Sequence, residues 1–262
     1  MANWDELTAF ALTLAAASAE FILPYFRRPH RVDVKAGEVW DPVTEADRAG
    51  EATIRRMIER RFPDHGILGE EYGVKEGRSG FTWVLDPIDG TRAFICGMPT
   101  WATLIGLTVE GEPALGVMHQ PFVGETFFAN PEGAWSRYRD DTRKLSVRRT
   151  RSFGEATLTT TAPELYRTAA EKEALQRMTA GARLTRYGGD AYFFCLLAAG
   201  QIDVAMDARM EVHDIAPLIP IIRGAGGVVS TWSGGDPSRG GNVVAASSPS
   251  LLEHALGILG AG

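Results

Sequence analysis

Residues 83–91 read Trp83-Val84-Leu85-Asp86-Pro87-Ile88-Asp89-Gly90-Thr91, and this stretch constrains the fold more than any other segment of the chain. The apolar residues at its start predict a buried strand that ends abruptly at the Asp-Pro step. Asp86 and Asp89 then lie three residues apart on a tight turn that the intervening proline stiffens. Together with the Gly90 amide and the Thr91 hydroxyl, the two carboxylates form a rigid corner that suits hard cations and a phosphate. An isolated turn of this kind is better explained as a helix cap, so its interpretation depends on the rest of the chain.

Three other acidic segments have the same character. Residues 44–47 (Thr-Glu-Ala-Asp) open a helical pattern, and taken alone Asp47 is best explained as a carboxylate of the first helical turn. Residues 69–71 (Gly-Glu-Glu) end a short apolar run, and one glutamate of this pair is expected to be simply solvated. Asp214 opens an apolar stretch that closes at residues 224–227, where it is predicted to cap a helix from its N-terminus.

Two prolines fall in this last stretch. Pro217 is expected in the first helical turn, where it is tolerated, and Pro220 is expected to kink or break the helix.

Each acidic segment alone has an ordinary explanation, but together they place single carboxylates at the ends of apolar elements, where a fold can bring them to one point. Clustered carboxylates raise each other's pKa unless cations neutralise them. Oxygen ligands suit Mg²⁺ or Mn²⁺ rather than zinc. Cys96 and Cys195 have no C-x-x-C partner, so neither a zinc site nor a disulfide framework is indicated.

These four segments resemble the inositol monophosphatase family, in order and in spacing, and the resemblance runs from about residue 5 to residue 256. Within the family, the chain is most similar to the histidinol-phosphate phosphatases, on the segments 100–105, 188–192 and 196–200. His213 stands before Asp214 where the inositol phosphatases usually carry tryptophan.

The resemblance implies a set of site residues. Glu70, Asp86 and the carbonyl of Ile88 would hold a first Mg²⁺, and Asp86, Asp89 and Asp214 a second, with a looser third ion on Glu70 and water; Mn²⁺ is a possible substitute. Thr91, hydrogen-bonded to Asp47, would orient or help deprotonate a metal-bound water. The amides of Gly90 and Thr91, beside Asp89, would receive the phosphate, and Asp190 and Asp207 would face the alcohol part of the substrate.

Hydrophobic periodicity predicts helices near 4–25, 44–62, 168–180, 190–200, 215–224 and 249–258. Strands near 101–109, 113–119 and 125–129 are joined by short turns, which favours an antiparallel meander, whereas later strands and helices alternate.

We therefore predict an α+β N-terminal half, residues 1–140, with the metal-binding motifs. An α/β half, residues 141–262, would carry the specificity residues and the last metal ligand, with the boundary in the polar stretch 137–144. The resemblance sharpens this into a five-layer αβαβα sandwich and implies a homodimer.

Composition restricts the class of protein. The chain has 262 residues, of which 45% are hydrophobic and 23% charged, as in ordinary globular proteins. Its net charge of −6 argues against nucleic-acid binding through a basic surface. No apolar run approaches the roughly 20 residues of a membrane span, and the first residues lack a basic signal-peptide region. A cytoplasmic enzyme without a membrane partner is expected.

The expected activity is Mg²⁺-dependent hydrolysis of a small phosphate monoester, with histidinol phosphate as the substrate and lithium as an inhibitor. Inositol-1-phosphate is the alternative, followed by a nucleotide 3'-phosphate or fructose-1,6-bisphosphate, although a bisphosphate requires a basic cluster that the sequence does not reveal. Asp190 could equally cap the helix that follows it, and Asp207 could be a plain loop carboxylate. No phosphate-binding loop of the G-x-x-x-x-G-K-[ST] type is present, which argues against a nucleotide-dependent phosphotransferase. A non-catalytic binding protein is disfavoured because the acidic motifs are intact.

Overall fold

A computed structural model describes residues 2–29, 32–34 and 42–260. The helices are α1 (Trp4–Ile22), α2 (Glu45–Arg61), α3 (Thr91–Ile95), α4 (Ala169–Gly181), α5 (Asp190–Ala198), α6 (Val212–Ile215), α7 (Leu218–Gly224) and α8 (Pro249–Leu259). The strands are β1 (Val32–Val34), β2 (Pro42–Thr44), β3 (Gly66–Gly69), β4 (Gly73–Lys75), β5 (Phe81–Asp89), β6 (Ala102–Val109), β7 (Glu112–Gln120), β8 (Glu125–Asn130), β9 (Gly133–Tyr138), β10 (Asp141–Lys144), β11 (Thr157–Thr160), β12 (Leu184–Tyr187), β13 (Val204–Met210), β14 (Val228–Thr231) and β15 (Gly241–Ala246).

Two sheets form the framework, beside a small β1–β2 ladder. The larger sheet has eight strands in the order β10-β9-β8-β7-β6-β5-β3-β4, and only β3 and β5 in it are parallel. The smaller sheet has five strands in the order β12-β11-β13-β15-β14, with β11 parallel to both of its neighbours. The predicted meander is confirmed, since β6, β7 and β8 pair antiparallel in succession.

Helices cover both faces of each sheet, so the predicted five-layer αβαβα sandwich is confirmed. Helices α1 and α2 pack on the outer face of the larger sheet, α5 and α7 lie between the sheets, and α4 and α8 cover the smaller one. Successive side chains of a strand point to opposite faces of the sheet, and β15 shows this. Val243 and Ala245 face the central helix layer, whereas Val244 and Ala246 face the outer helices.

The predicted division at residues 140 and 141 falls in the turn between β9 and β10. Residues 137–144, read as a polar boundary, form most of an antiparallel hairpin in which Lys144 pairs with Trp135. The last strand of the larger sheet therefore ends at Lys144, and the smaller sheet begins at Thr157. The division into two halves stays a prediction.

Helix α1 and the 3-10 turn after it, Trp4–Tyr25, are long and apolar enough by length and composition to cross a membrane, which differs from the sequence-based expectation. The apolar side chains of Leu7, Ala11 and Leu14 are nevertheless buried in the core formed with α2 and the larger sheet. One apolar face of α1 therefore packs into the core of the protein.

The stretch after His213 is broken elsewhere than predicted. Helix α6 ends at Ile215, and Pro217 separates it from α7. Pro220 lies in the first turn of α7, where a missing N–H breaks no helical hydrogen bond, so it causes no break.

A Cβ at Gly116 of β7 would overlap the carbonyl oxygen of Pro217, so this glycine lets the α6–α7 junction rest directly on the larger sheet. That contact fixes the position of α6 at the edge of the site.

Candidate active site

A cavity of about 630 Å³ opens where β3, β5, α3, α5, β13 and α6 meet. The predicted site residues that line it are Glu70, Asp86, Ile88, Asp89, Gly90, Thr91, Asp190, Asp207 and Asp214. The structure thus brings together carboxylates from three of the four acidic segments, which lie far apart in the sequence. Asp47, the remaining predicted site residue, is buried at the start of α2.

Parallel pairing of β3 and β5 places Glu70 beside Asp86. Gly69 lies opposite Leu85 in this ladder, and the N–H of Glu70 donates to the carbonyl of Leu85 at 3.1 Å. Glu70 follows Gly69 and Asp86 follows Leu85, so the two carboxylates emerge side by side at the same edge of the sheet.

The turn after Asp86 is fixed by its own hydrogen bonds. Pairing of β5 with β6 shifts register between Asp86 and Asp89, which bends the strand. The N–H of Ile88 donates to Asp86 Oδ1 at 3.0 Å, and Thr91 Oγ1 donates to the Ile88 carbonyl at 3.1 Å. Gly90 adopts a φ of 79° and is the N-cap residue of α3, so the chain turns sharply here and both aspartates line the cavity.

Asp214 reaches the cavity from α6 and does not cap that helix in the predicted way. Glu211 is the N-cap residue, and Asp214 Oδ2 accepts the N–H of Glu211 at 2.8 Å in a capping box. The prediction failed because the helix begins two residues before Asp214, at Val212. The second carboxylate oxygen of Asp214 is 3.3 Å from Nε2 of His213.

Two groups of side chains in the described part of the chain could hold an ion, and they share Asp86. One is Asp86 with Asp89 and Asp214, and the other is Asp86 with Glu70 and His213; in each, one donor atom per residue lies within 4.8 Å of the others. Glu70, Asp86, Asp89 and Asp214 are the predicted metal ligands, whereas His213 was not predicted as one. Oxygen-rich groups of this kind fit Mg²⁺ or Mn²⁺.

Burial and mutual repulsion strongly perturb these acids. Burial, followed by the charges of Glu70, Asp89 and Asp214, raises the pKa of Asp86 well above its usual range. Burial also raises the pKa of Asp89 well above that range and the pKa of Asp214 to about 6. Divalent cations would remove this cost because they favour the ionised form of every carboxylate they touch.

The predicted hydrogen bond between Thr91 and Asp47 is wrong. Thr91 donates to Ile88, and Asp47 accepts from the N–H and the hydroxyl of Thr44 at 2.8 and 2.5 Å. Asp47 is the third residue of α2 and completes a capping box, so the helix terminus takes its carboxylate. Burial raises the pKa of Asp47 to about 7.

Asp190 and Asp207 also line the cavity. Asp190 is the first residue of α5, with a φ of 44°, but its side chain does not cap that helix; instead the N–H of Ala191 donates to Asp89 Oδ2 at 2.7 Å. Burial and the charge of Asp207 raise the pKa of Asp190 to about 7. Asp207 accepts the N–H and hydroxyl of Thr161, each at 2.8 Å, which ties β13 to the end of β11. It is therefore a buried wall residue and not a plain loop carboxylate.

Three cavity-lining arginines, Arg92, Arg167 and Arg209, were not recognised in the sequence. Arg209 pairs with Glu171 at 3.0 Å, and Glu171 also accepts the backbone N–H of Arg167 at 2.7 Å. The capping box of Thr168 and Glu171 can be recognised in the sequence as the start of α4. The contact of Glu171 with Arg209 cannot, because the two residues are 38 positions apart in the sequence.

Residues 3–260 match the model of the inositol monophosphatase family. The chain belongs to this family. It is 34% identical to the histidinol-phosphatase of Chlorobaculum parvum over 96% of both chains. It is 37% identical to the bifunctional phosphatase IMPL2 of Arabidopsis thaliana over 88% of this chain, but only 65% of that relative's length is covered. The solved inositol monophosphatase from Zymomonas mobilis superposes with a TM-score of 0.87, at 33% identity and over 99% and 100% of the two chains.

Membership in the inositol monophosphatase family makes the chain a phosphoric monoester hydrolase that acts on small phosphorylated substrates. The family is metal-dependent, and the acidic groups around Asp86 fit that requirement. The matched relatives carry different substrate names, so membership alone does not select among phosphate monoesters.

Proposed function

We propose that this protein is a Mg²⁺-dependent phosphatase that converts L-histidinol phosphate and water to L-histidinol and phosphate. The observation that carries the proposal is the pair of donor groups around Asp86, in one cavity with the carboxylates of Asp190 and Asp207. The first feature suits phosphate chemistry, and the second suits a cationic leaving alcohol.

Each residue around the turn has a distinct role in this proposal. Glu70, Asp86 and the Ile88 carbonyl would hold one ion, and Asp86, Asp89 and Asp214 another, with a third, looser ion on Glu70. When bound, such ions neutralise the phosphate dianion and lower the pKa of water. The amides of Gly90 and Thr91 would receive the phosphate oxygens.

Protons would be handled by the protein around the same turn. Thr91 is held by its bond to the Ile88 carbonyl, which leaves its oxygen lone pairs to accept a hydrogen bond from the attacking water. The role of Asp47 as a distant base stays a prediction, since its carboxylate is engaged by Thr44. Phosphate monoesters hydrolyse very slowly unaided, so positioning and charge neutralisation must supply most of the rate.

Substrate preference is proposed to come from Asp190 and Asp207. Histidinol carries an ammonium group and an imidazole, and both are complementary to carboxylates. The raised pKa values, about 7 for Asp190 and about 6 for Asp207, show the cost of burying these charges without a cation. A bound ammonium group would offset that cost, whereas an inositol ring offers only hydroxyl groups.

A second candidate class, substrates with another anionic group, is favoured by one observation. Arg92, Arg167 and Arg209 line the cavity, and a basic cluster of this kind is what a bisphosphate would require. Fructose-1,6-bisphosphate and a nucleotide 3'-phosphate are therefore alternatives. Inositol-1-phosphate, which has no second anionic group, remains an alternative only because the family resemblance implies it.

A substrate panel tests these alternatives. Phosphate release in Mg²⁺ is measured for histidinol phosphate, inositol-1-phosphate, fructose-1,6-bisphosphate and a nucleotide 3'-phosphate, with wild-type protein and two variants. Asp190→Asn should raise KM for histidinol phosphate more than KM for inositol-1-phosphate. Asp236→Asn, in an exposed loop, should change neither. Preference of the wild type for inositol-1-phosphate or a bisphosphate would refute the substrate assignment while leaving the phosphatase chemistry intact.

We further propose a cytoplasmic homodimer that lithium inhibits, as the family resemblance implies. Sedimentation of the purified protein tests the dimer, since a species of one chain's mass at micromolar concentration would contradict it.

Phosphate release measured with increasing LiCl tests the inhibition, and the rate should fall as LiCl is added.

A further inference from the structure

The imidazole of His213 lies among the carboxylates of the proposed metal centre. One of its ring nitrogens and one oxygen each from Glu70 and Asp86 lie within 4.8 Å of one another. Two donors bound to one ion at about 2.1 Å are at most about 4.2 Å apart, so small side-chain rotations suffice to close this group around an ion.

The backbone of His213 is positioned as firmly as that of the predicted ligand beside it. His213 and Asp214 are consecutive on α6, which the Glu211 capping box and the contact of Pro217 with Gly116 hold in place. This one short helix therefore offers a donor to each group, His213 to Glu70 and Asp86, and Asp214 to Asp86 and Asp89.

A packing role does not explain these neighbours. His65 illustrates a packed histidine, because its ring is stacked between Phe62 and Phe81 and accepts the indole N–H of Trp83. The His213 side chain is instead 18% exposed at the cavity, and Nε2 lies 3.3 Å from a carboxylate oxygen of Asp214.

We propose that His213 is a nitrogen ligand of the ion held by Glu70 and Asp86, so that one position of the metal centre has a mixed nitrogen and oxygen donor set. This inference rests on the proposed metal-dependent function and adds to it. Imidazole favours Mn²⁺, Co²⁺ and Zn²⁺ over Mg²⁺, which prefers oxygen. The enzyme should therefore bind these ions more tightly, relative to Mg²⁺, than a variant without the imidazole.

The test uses Mn²⁺ alone and the full-length protein, with pulsed electron paramagnetic resonance as a readout independent of turnover. Directly coordinated imidazole modulates the Mn²⁺ echo through its ¹⁴N nucleus. The wild type should give this modulation, and His213→Gln should lose it and bind Mn²⁺ about tenfold more weakly or worse. Mg²⁺ affinity, measured by competition, should fall less. His254→Gln, which removes an exposed histidine on α8, should behave like the wild type.

Three results would overturn the inference. Wild-type protein that binds Mn²⁺ and releases phosphate but gives no imidazole modulation would show that His213 is not a ligand of the ion, and the proposed function would stand. Modulation that persists unchanged in His213→Gln would show that the coordinating imidazole belongs to another histidine, and the proposed function would again stand. Failure of the wild type to bind Mn²⁺, together with no Mg²⁺-dependent phosphate release, would overturn both proposals.

Discussion

Replacing Glu51 with glutamine is expected to weaken Mg²⁺ binding, although Glu51 does not line the cavity. Glu51 lies on α2 and is completely buried. Its carboxylate accepts Arg55 Nε at 2.6 Å, the N–H of Glu71 at 2.7 Å and the N–H of Tyr72 at 3.2 Å. Glu70, the candidate metal ligand, donates its own N–H to Leu85 of β5, and the N–H of the next residue, Glu71, donates to Glu51. The backbone of Glu70 is therefore fixed on one side by β5 and on the other by Glu51.

The magnitude follows from the donors that glutamine cannot satisfy. Whichever way its amide points, an NH₂ group would face a part-buried N–H of Glu71, or those of Tyr72 and Arg55. One unsatisfied buried donor costs about 1–3 kcal/mol, and losing the largely buried ion pair adds to this. We expect the free energy of unfolding to fall by about 3 kcal/mol, or Tm by about 6–12 °C in a protein of this size. Loosening a group that orients a metal ligand typically weakens metal affinity about 10- to 100-fold.

The assay is phosphate release as a function of Mg²⁺ concentration, below the Tm of the variant. Glu51→Gln should need about 10- to 100-fold more Mg²⁺ for half-maximal rate, with much of kcat restored at saturating Mg²⁺. Glu59→Gln, exposed on the same helix, is the matched control. Gly69→Ala should act like Glu51→Gln, because its Cβ would overlap the Glu51 carboxylate. A destabilised Glu51→Gln with the Mg²⁺ dependence of the wild type would refute the reasoning.

Three further predictions concern chemistry, pH and specificity. Asp89→Asn should abolish turnover with the circular dichroism spectrum unchanged, and near-wild-type activity would contradict the metal assignment. Burial lowers the pKa of His119 to about 4 in the folded protein, so this residue's contribution to stability is complete above its unfolded pKa of about 6.5 and is lost as pH falls toward 4. His119→Asn should therefore flatten the loss of unfolding free energy between pH 7 and pH 4 by about 3 kcal/mol in urea titrations, and an unchanged slope would rule this out. Arg209→Ala should raise KM for fructose-1,6-bisphosphate about fivefold, because a part-exposed charge contact contributes about 1 kcal/mol. KM for histidinol phosphate should stay nearly unchanged. Equal effects on both substrates would assign Arg209 a purely structural role through Glu171.

The layered fold was accessible from the sequence because burial is periodic along each element. The meander of β6, β7 and β8 has short turns between apolar, β-rich runs, so both its strands and their order could be predicted. Strands β9 and β10 were missed because their exposed and charged residues, such as Arg137 and Lys144, resemble a polar linker. Their pairing comes from edge hydrogen bonds, which leave little trace in composition.

The gathering of carboxylates could be predicted because each one lies at one end of an apolar element. Side-chain partners could not, since they depend on helix starts and on contacts across the fold. Asp47 was assigned to Thr91 but completes the cap of α2, and Asp89 receives the N–H at the start of α5, 102 residues away. His213 was not predicted as a ligand because its distances to Glu70 and Asp86 exist only once β3, β5 and α6 are assembled.

The central claim is that side chains from β3, β5 and α6 bind divalent ions together around Asp86. Its most direct test is anomalous diffraction from crystals of the protein soaked in Mn²⁺. We predict Mn²⁺ peaks between Glu70 and Asp86 and among Asp86, Asp89 and Asp214, with Asp86 shared by both. Crystals that bind Mn²⁺ only outside this cavity, with these carboxylates directed to separate places, would contradict the account.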